Sequence, residues 1–199
     1  MTVQRKIRLF TSLFIFVATF VYATYASPPR SMSPSLAPPP AAAVSSTDAI
    51  ATATTTTNAF VVRDVDGDTI VARYDGQRED VKIRFLGINT PESVDPRKPV
   101  ECFGHEASAH TKAMLEGKRI RLDPDPQADE TDKYGRLLRN IVMEDGTDYN
   151  ASLVRDGYAY AYLDFPLNKQ RKVFLANLQK EAQAAQRGLW SPATCNGLK

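Results

Sequence analysis

The sequence predicts an α+β protein, a small β-barrel with appended helices. Three observations predict it. Five short stretches have the composition or alternation of strands, and the early ones are separated by tight-turn residues. Capped amphipathic stretches lie between and after them, so helices should pack onto a closed sheet.

Two segments precede this domain, which is expected over residues 59–199. Residues 1–26 place Arg5, Lys6 and Arg8 ahead of an uncharged apolar run from Leu9 to Ala26. Such a flank and run read as a signal peptide with Ala26 at the cleavage site, or as an uncleaved N-terminal anchor. The expected location is therefore secreted or periplasmic, with attachment to the membrane through residues 9–26 as the alternative. Residues 27–58 are rich in Pro, Ala, Ser and Thr, including Pro38-Pro39-Pro40 and Thr54-Thr55-Thr56-Thr57. That composition cannot bury enough apolar surface to offset ordering and predicts a disordered linker.

The first strand is expected from Ala59 to Val65, apolar and β-branched. The second, Thr69 to Tyr74, alternates Ile70, Ala72 and Tyr74 against Thr69, Val71 and Arg73. Asp75-Gly76 then turns the chain, because glycine tolerates the positive φ of tight hairpins. The returning strand puts Val81, Ile83 and Phe85 on one face and Lys82, Arg84 and Leu86 on the other. Arg84 is thus expected on the face opposite the apolar stripe.

Pro91, Pro96 and Pro99 keep residues 89–100 a loop. A helix should run from about Phe103 to Glu116 and stop at Gly117. Arg119 to Leu122 and Leu137 to Met143 complete the strands, with an acidic loop between them. Asp148 caps a short helix ending at Gly157, and Asn168 caps a longer one ending at Gly188. In the last helix Phe174, Leu178, Ala182 and Ala185 recur at three- and four-residue steps, a stripe expected in the core.

Charge excludes a simple electrostatic glue. Of 25 Lys and Arg, Arg5, Lys6, Arg8 and Arg30 precede the domain, and of 23 Asp and Glu only Asp48 does. The domain then carries 21 positive and 22 negative residues. Any polyanionic ligand must be met by locally placed cations, since counterion release normally draws on a basic surface. Cys102 and Cys195 suit an exported protein in which a disulfide persists, the alternative being two unpaired thiols. Joining them would close a long loop, worth roughly 4 to 5 kcal/mol at most in the chain-entropy model.

Asp64, Asp66 and Asp68 alternate like the start of an EF-hand, but Thr69 stands where that loop needs glycine and Asp75 where it needs glutamate. An acidic turn offering one or two ligands to a hard cation remains. His105 and His110 are five apart and diverge by about 140° on a helix, so they read as solvated residues, not zinc ligands. Arg84, Glu92 and Arg136 are different. Each stands in its own short motif beside Asp66-Gly67-Asp68-Thr69. Two fork-shaped guanidiniums, one carboxylate and hard oxygen ligands are what hydrolysis of a phosphodiester needs.

The chain resembles the staphylococcal nuclease family from Val61 to Trp190. The resemblance is carried by Asp66-Gly67-Asp68-Thr69, Arg84 with Asn89-Thr90-Pro91-Glu92, and Gly104-x-Glu106-Ala107-Ser108-Ala109. It continues through Thr131-Asp132-Lys133-Tyr134-Gly135-Arg136, Leu153-Val154-Arg155-x-Gly157 and Gly188-Leu189-Trp190. It implies a five-stranded OB-fold barrel with three helices and a monomeric, calcium-dependent nuclease acting on single-stranded or denatured DNA and RNA. It further implies that Asp68, Asn89 and the Thr90 carbonyl hold one Ca²⁺, with Asp66 behind them. Arg84 and Arg136 would clamp the phosphate, and Glu92 would be general base. Lys133 and Tyr134 would contact a neighbouring nucleotide, together with Tyr160 or Tyr162. One departure is that the family's reference member has aspartate at the position of Asn89, so this site loses a formal charge. The competing readings are an inactive OB-fold module that binds nucleic acid or protein, and a structural calcium-binding domain.

Overall fold

The computed structural model describes residues 55–198. The expected signal or anchor segment and nearly all of the expected linker lie outside the described residues.

Five strands close into a barrel. They are β1 (Ala59–Asp66), β2 (Thr69–Tyr74), β3 (Val81–Phe85), β5 (Arg119–Asp123) and β6 (Leu137–Met143), in the order β1-β2-β3-β6-β5. β1 closes on β5, and only the β3–β6 pairing is parallel. The two-residue strands β4 (Ile88–Asn89) and β7 (Tyr160–Ala161) form a separate antiparallel pair. Helices α1 (Gly104–Leu115), α2 (Tyr149–Arg155) and α3 (Lys169–Ala184) cover the barrel, and a short 3₁₀ turn, Gly188–Trp190, follows. The architecture is the expected five-stranded OB-fold barrel with three helices.

The core follows the strand alternation. Val61, Ile70, Ala72, Ile83, Phe85, Ile120, Leu122 and Ile141 point inward and are buried. Tyr149 from α2 fits edge-on against Phe85, with ring centroids 6.0 Å apart. Register shifts in β1 at Val61/Arg63 and Asp64/Asp66 mark bulges, which bend a strand and re-aim its side chains. The second bulge leads directly into the acidic turn. The barrel takes up the chain from Thr55, whose N–H donates to the Glu144 carbonyl.

Three local expectations need correction. The buried face of α3 is Leu175 and Ala182, with Leu178 partly covered; Phe174 is exposed under the Arg171 guanidinium, and Ala185 is exposed. Leu178 and Ala182 of the expected stripe do face inward, but its ends differ, with Leu175 buried in place of Phe174 and Ala185 left outside, because α3 packs mainly on α2. His110 is only partly solvated: it stacks at 4.0 Å on Tyr158, and burial holds its pKa below the usual value. Leu86 does not continue the face of Lys82 and Arg84, since β3 ends at Phe85 and Leu86 is buried in the core.

Candidate active site

β1, β2 and β3 deliver the acidic turn and Arg84 to one end of the barrel. Gly67 is required there, because a Cβ would lie 2.8 Å from the Thr90 side chain. This close approach lets the Asp68 carboxylate accept a hydrogen bond from the Thr90 N–H at 2.9 Å. Thr69 donates its hydroxyl to the other Asp68 oxygen at 3.0 Å. The turn and the 89–92 loop are therefore locked together through Asp68.

Arg84 lies across from the apolar stripe as alternation requires, yet it is buried, not displayed to solvent. Its Nη1 donates to the carbonyls of Phe85 and Ile88, at 2.7 and 2.9 Å. Its Nη2 donates to Asn89 Oδ1 at 3.0 Å and pairs with Asp68 Oδ2 at 2.9 Å. A guanidinium has donors enough for this arrangement, which lysine could not reproduce.

Asn89 is held by the β4–β7 pair, opposite Tyr160. Its side-chain nitrogen donates to the Thr90 carbonyl at 3.2 Å, so the Asn89 and Thr90 oxygens share one small patch with Asp68. Asp66 sits behind, accepting from Ser93 Oγ at 2.6 Å and from the Gly67 N–H at 2.8 Å. Burial raises its carboxyl to about 6, the Ser93 bond opposes that, and the charges of Asp68 and Glu92 raise it further.

Glu92 is half-buried in a turn of its own making. Its Oε1 accepts the N–H groups of Val94 and Asp95, at 2.8 and 3.0 Å. Burial works against the charge, but these amides and that of Ser93 leave the pKa below its ordinary value. Arg136 approaches from the start of β6. It pairs with Asp132 through Nε and Nη2, reaches Thr69 Oγ1 at 3.3 Å, and lies over the Tyr134 ring.

These groups converge. Asp66, Asp68, Arg84, Asn89, Thr90, Glu92 and Arg136 all line one open cleft of about 350 Å³. Tyr162 and Phe165 form its far wall, their rings edge-to-face at 4.9 Å. Lys133 and Tyr134 line an adjoining groove that shares Arg136, Tyr162 and Phe165 with the cleft. Tyr160 lies elsewhere, edge-on to Trp190 at 5.2 Å. Sequence reasoning missed Ser93, Lys98, Glu101 and Phe165, all at or behind the cleft wall. They stand in proline-interrupted loops, where no periodicity marks which side chains face inward.

The donor set is oxygen only, which suits a hard cation. Among the described residues no cluster of three or more His, Cys, Asp or Glu is arranged to chelate a metal. A cation would thus draw on amide and carbonyl oxygens beside Asp68. Asp66, Asp68 and Glu92 bring three carboxyl groups to the lining of one cleft, which favours positive charge there.

Residues 82–192 match the family model described as "Staphylococcal nuclease homologue". The chain is 39% identical over 131 residues to the thermonuclease of Staphylococcus intermedius, covering 66% of this chain and 74% of that protein. It is 37% identical over 132 residues to the thermonuclease of Staphylococcus hyicus, with coverages of 66% and 74%. It is also 33% identical over 135 residues to endonuclease YncB of Bacillus subtilis (strain 168), covering 67% of this chain and 62% of that protein.

Proposed function

Since the chain belongs to the staphylococcal nuclease family and is a nuclease that hydrolyses phosphodiester bonds, we propose that it cuts single-stranded or denatured DNA and RNA with one Ca²⁺. The observation that carries this reading is the convergence of Asp68, Arg84, Glu92 and Arg136 on one cleft.

Asp68, Asn89 Oδ1 and the Thr90 carbonyl would hold the ion, with Asp66 behind them. When bound, calcium supplies Lewis-acid neutralisation of phosphate charge. Glu92 is ionised at neutral pH, its charge held by the Val94 and Asp95 amides on Oε1, and as a carboxylate it can take a proton from water. Arg136 is the more accessible guanidinium and would meet the phosphate first. A phosphate oxygen deeper in the cleft would compete with Asp68 and Asn89 for Arg84 Nη2. Charge building on the phosphate would then be met by preplaced donors, which need no reorganisation as the bond breaks. Lys133, Tyr134 and Tyr162 would guide the flanking strand along the adjoining groove. Aromatic faces accept any base, consistent with little sequence preference.

In this reading the protein acts as an exported monomer, secreted, periplasmic or held at the membrane through residues 9–26. The test is cleavage of single-stranded DNA by the purified chain with calcium, with EDTA, and as Glu92→Gln. Calcium-supported cleavage that stops in EDTA and falls about a hundredfold in the variant supports the assignment. DNA binding without cleavage under any divalent metal would favour an inactive binding module instead.

A further inference from the structure

The loop that carries Thr90 and Glu92 is anchored at both ends, and both anchors lead to the same C-terminal segment. At its start, Asn89 pairs with Tyr160 in the β4–β7 ribbon. Tyr160 packs edge-on against Trp190, and its hydroxyl reaches the Leu198 carbonyl at 3.4 Å. At its end, Glu101 and Glu92 hold each other reciprocally. The Glu92 N–H donates to Glu101 Oε2 at 3.0 Å, and the Glu101 N–H donates to the Glu92 carbonyl at 2.9 Å. Gly104 closes on that same carbonyl so tightly that a Cβ would lie 2.6 Å from it.

Cys102 stands next to Glu101 and is bonded to Cys195. Cys195 is buried in the segment that folds back on Trp190, where Gly197 lies against the indole. Phe103, the next residue, has φ 69, a left-handed conformation costly for a side chain of this size. Its ring rests on Tyr158 at 5.5 Å. The disulfide therefore ties the Glu101 end of the loop to the element that already braces the Asn89 end.

We propose that Glu101 is a positioning residue for Glu92 and that the Cys102–Cys195 disulfide makes this positioning redox-sensitive, so that a dithiol reductant lowers turnover while the barrel stays folded. The proposal rests on Glu92 being the base. In the reductive step a thiolate of the dithiol attacks one sulfur, and the other leaves as thiolate. The second thiol of the reductant then closes its own disulfide, so two protein thiols form and one dithiol is oxidised. Cys102 is the exposed partner, so attack comes from its side. Such a lock would idle the nuclease wherever thiols stay reduced and spare the nucleic acid of the cell that makes it.

The decisive experiment uses the full chain on single-stranded DNA at saturating calcium. It compares oxidised protein, protein reduced with dithiothreitol and alkylated, Glu101→Gln, Glu101→Ala and Glu92→Gln, with far-ultraviolet circular dichroism on each. Reduction and Glu101→Ala should each lower kcat about tenfold or more with KM within about twofold, since small misplacement of a catalytic group is costly. Glu101→Gln, which keeps an oxygen to accept the Glu92 N–H, should recover most of the loss. Unchanged kcat after reduction with the barrel intact overturns the redox device, and unchanged kcat in Glu101→Ala overturns the positioning role. Loss of activity only in step with loss of circular dichroism reduces the disulfide to a fold staple and overturns it too. If Glu92→Gln keeps its activity, the base assignment itself has failed, which the other arms do not test.

Discussion

Arg84 Nη2 lies 2.9 Å from Asp68 Oδ2, and both side chains are 7% exposed. This buried ion pair joins the proposed phosphate clamp to the proposed metal ligand, so neither group can be changed alone. Removing Arg84 strands a buried carboxylate and orphans the Phe85 and Ile88 carbonyls. Arg84→Ala is expected to lose nuclease activity and about 3 kcal/mol of stability. The deficit should shrink when calcium is added, because the cation then compensates Asp68. Denaturant unfolding with and without calcium checks this.

Asn89 offers its oxygen to Arg84 and its nitrogen to the Thr90 carbonyl. Asn89→Asp replaces that nitrogen by a second anionic oxygen beside Asp68. Calcium should bind about tenfold more tightly, as sites gain affinity with ligand charge. Titration calorimetry of both proteins decides it, and equal affinity would sink the account of the site.

Glu92 should keep its charge below the pH at which an ordinary glutamate protonates, since its pKa is lowered. The Glu92 carboxyl, followed by NMR titration, should therefore protonate below 4.5. A midpoint above that value would show that the Val94 and Asp95 amides do not hold the base as described.

Asp64 is raised from 3.8 to about 6 by burial, against the Ser108 hydrogen bond that lowers it. Its Oδ1 is buried without a hydrogen-bond partner. A raised carboxyl stabilises the fold fully below the unfolded value of 3.8, and that contribution is lost as pH climbs through 6. The protein should therefore gain stability from Asp64 on going from pH 7 to pH 5, about 1 kcal/mol after allowing for its half-exposed position. Asp64→Asn should flatten this part of the stability–pH curve measured by denaturant unfolding.

Tyr162 and Tyr160 should separate cleanly. Tyr162 lines the cleft and groove, whereas Tyr160 is packed on Trp190. Tyr162→Ala is expected to raise KM for single-stranded DNA about fivefold or more, matching the ~1 kcal/mol lower end for a lost base–aromatic stack. Tyr160→Ala should chiefly lower thermal stability. Steady-state kinetics and melting curves of both variants test the division.

The barrel strands and helix caps were legible in the sequence because alternation, Asp75-Gly76, Asp148 and Asn168 are local signals. The side of Arg84 was legible for the same reason. Its burial was not, because that depends on carbonyls of the following turn and on Asp68 from another strand. The β4–β7 ribbon was hidden because two residues carry no period. Which residue begins the α3 stripe was hidden because Leu175 and Phe174 are both large and apolar, and only packing against α2 chooses between them.

Local sequence establishes which chemistry-bearing residues exist, and the spacing that puts each on a strand end or in a loop. Tertiary structure decided how they are held. It paired Arg84 with Asp68, aimed Glu92 through its own turn, placed Tyr162 but not Tyr160 at the cleft, and brought Cys102 to Cys195. The reason is physical: alternation and capping act over a few residues, whereas burial and ion pairing depend on groups brought together from distant parts of the chain.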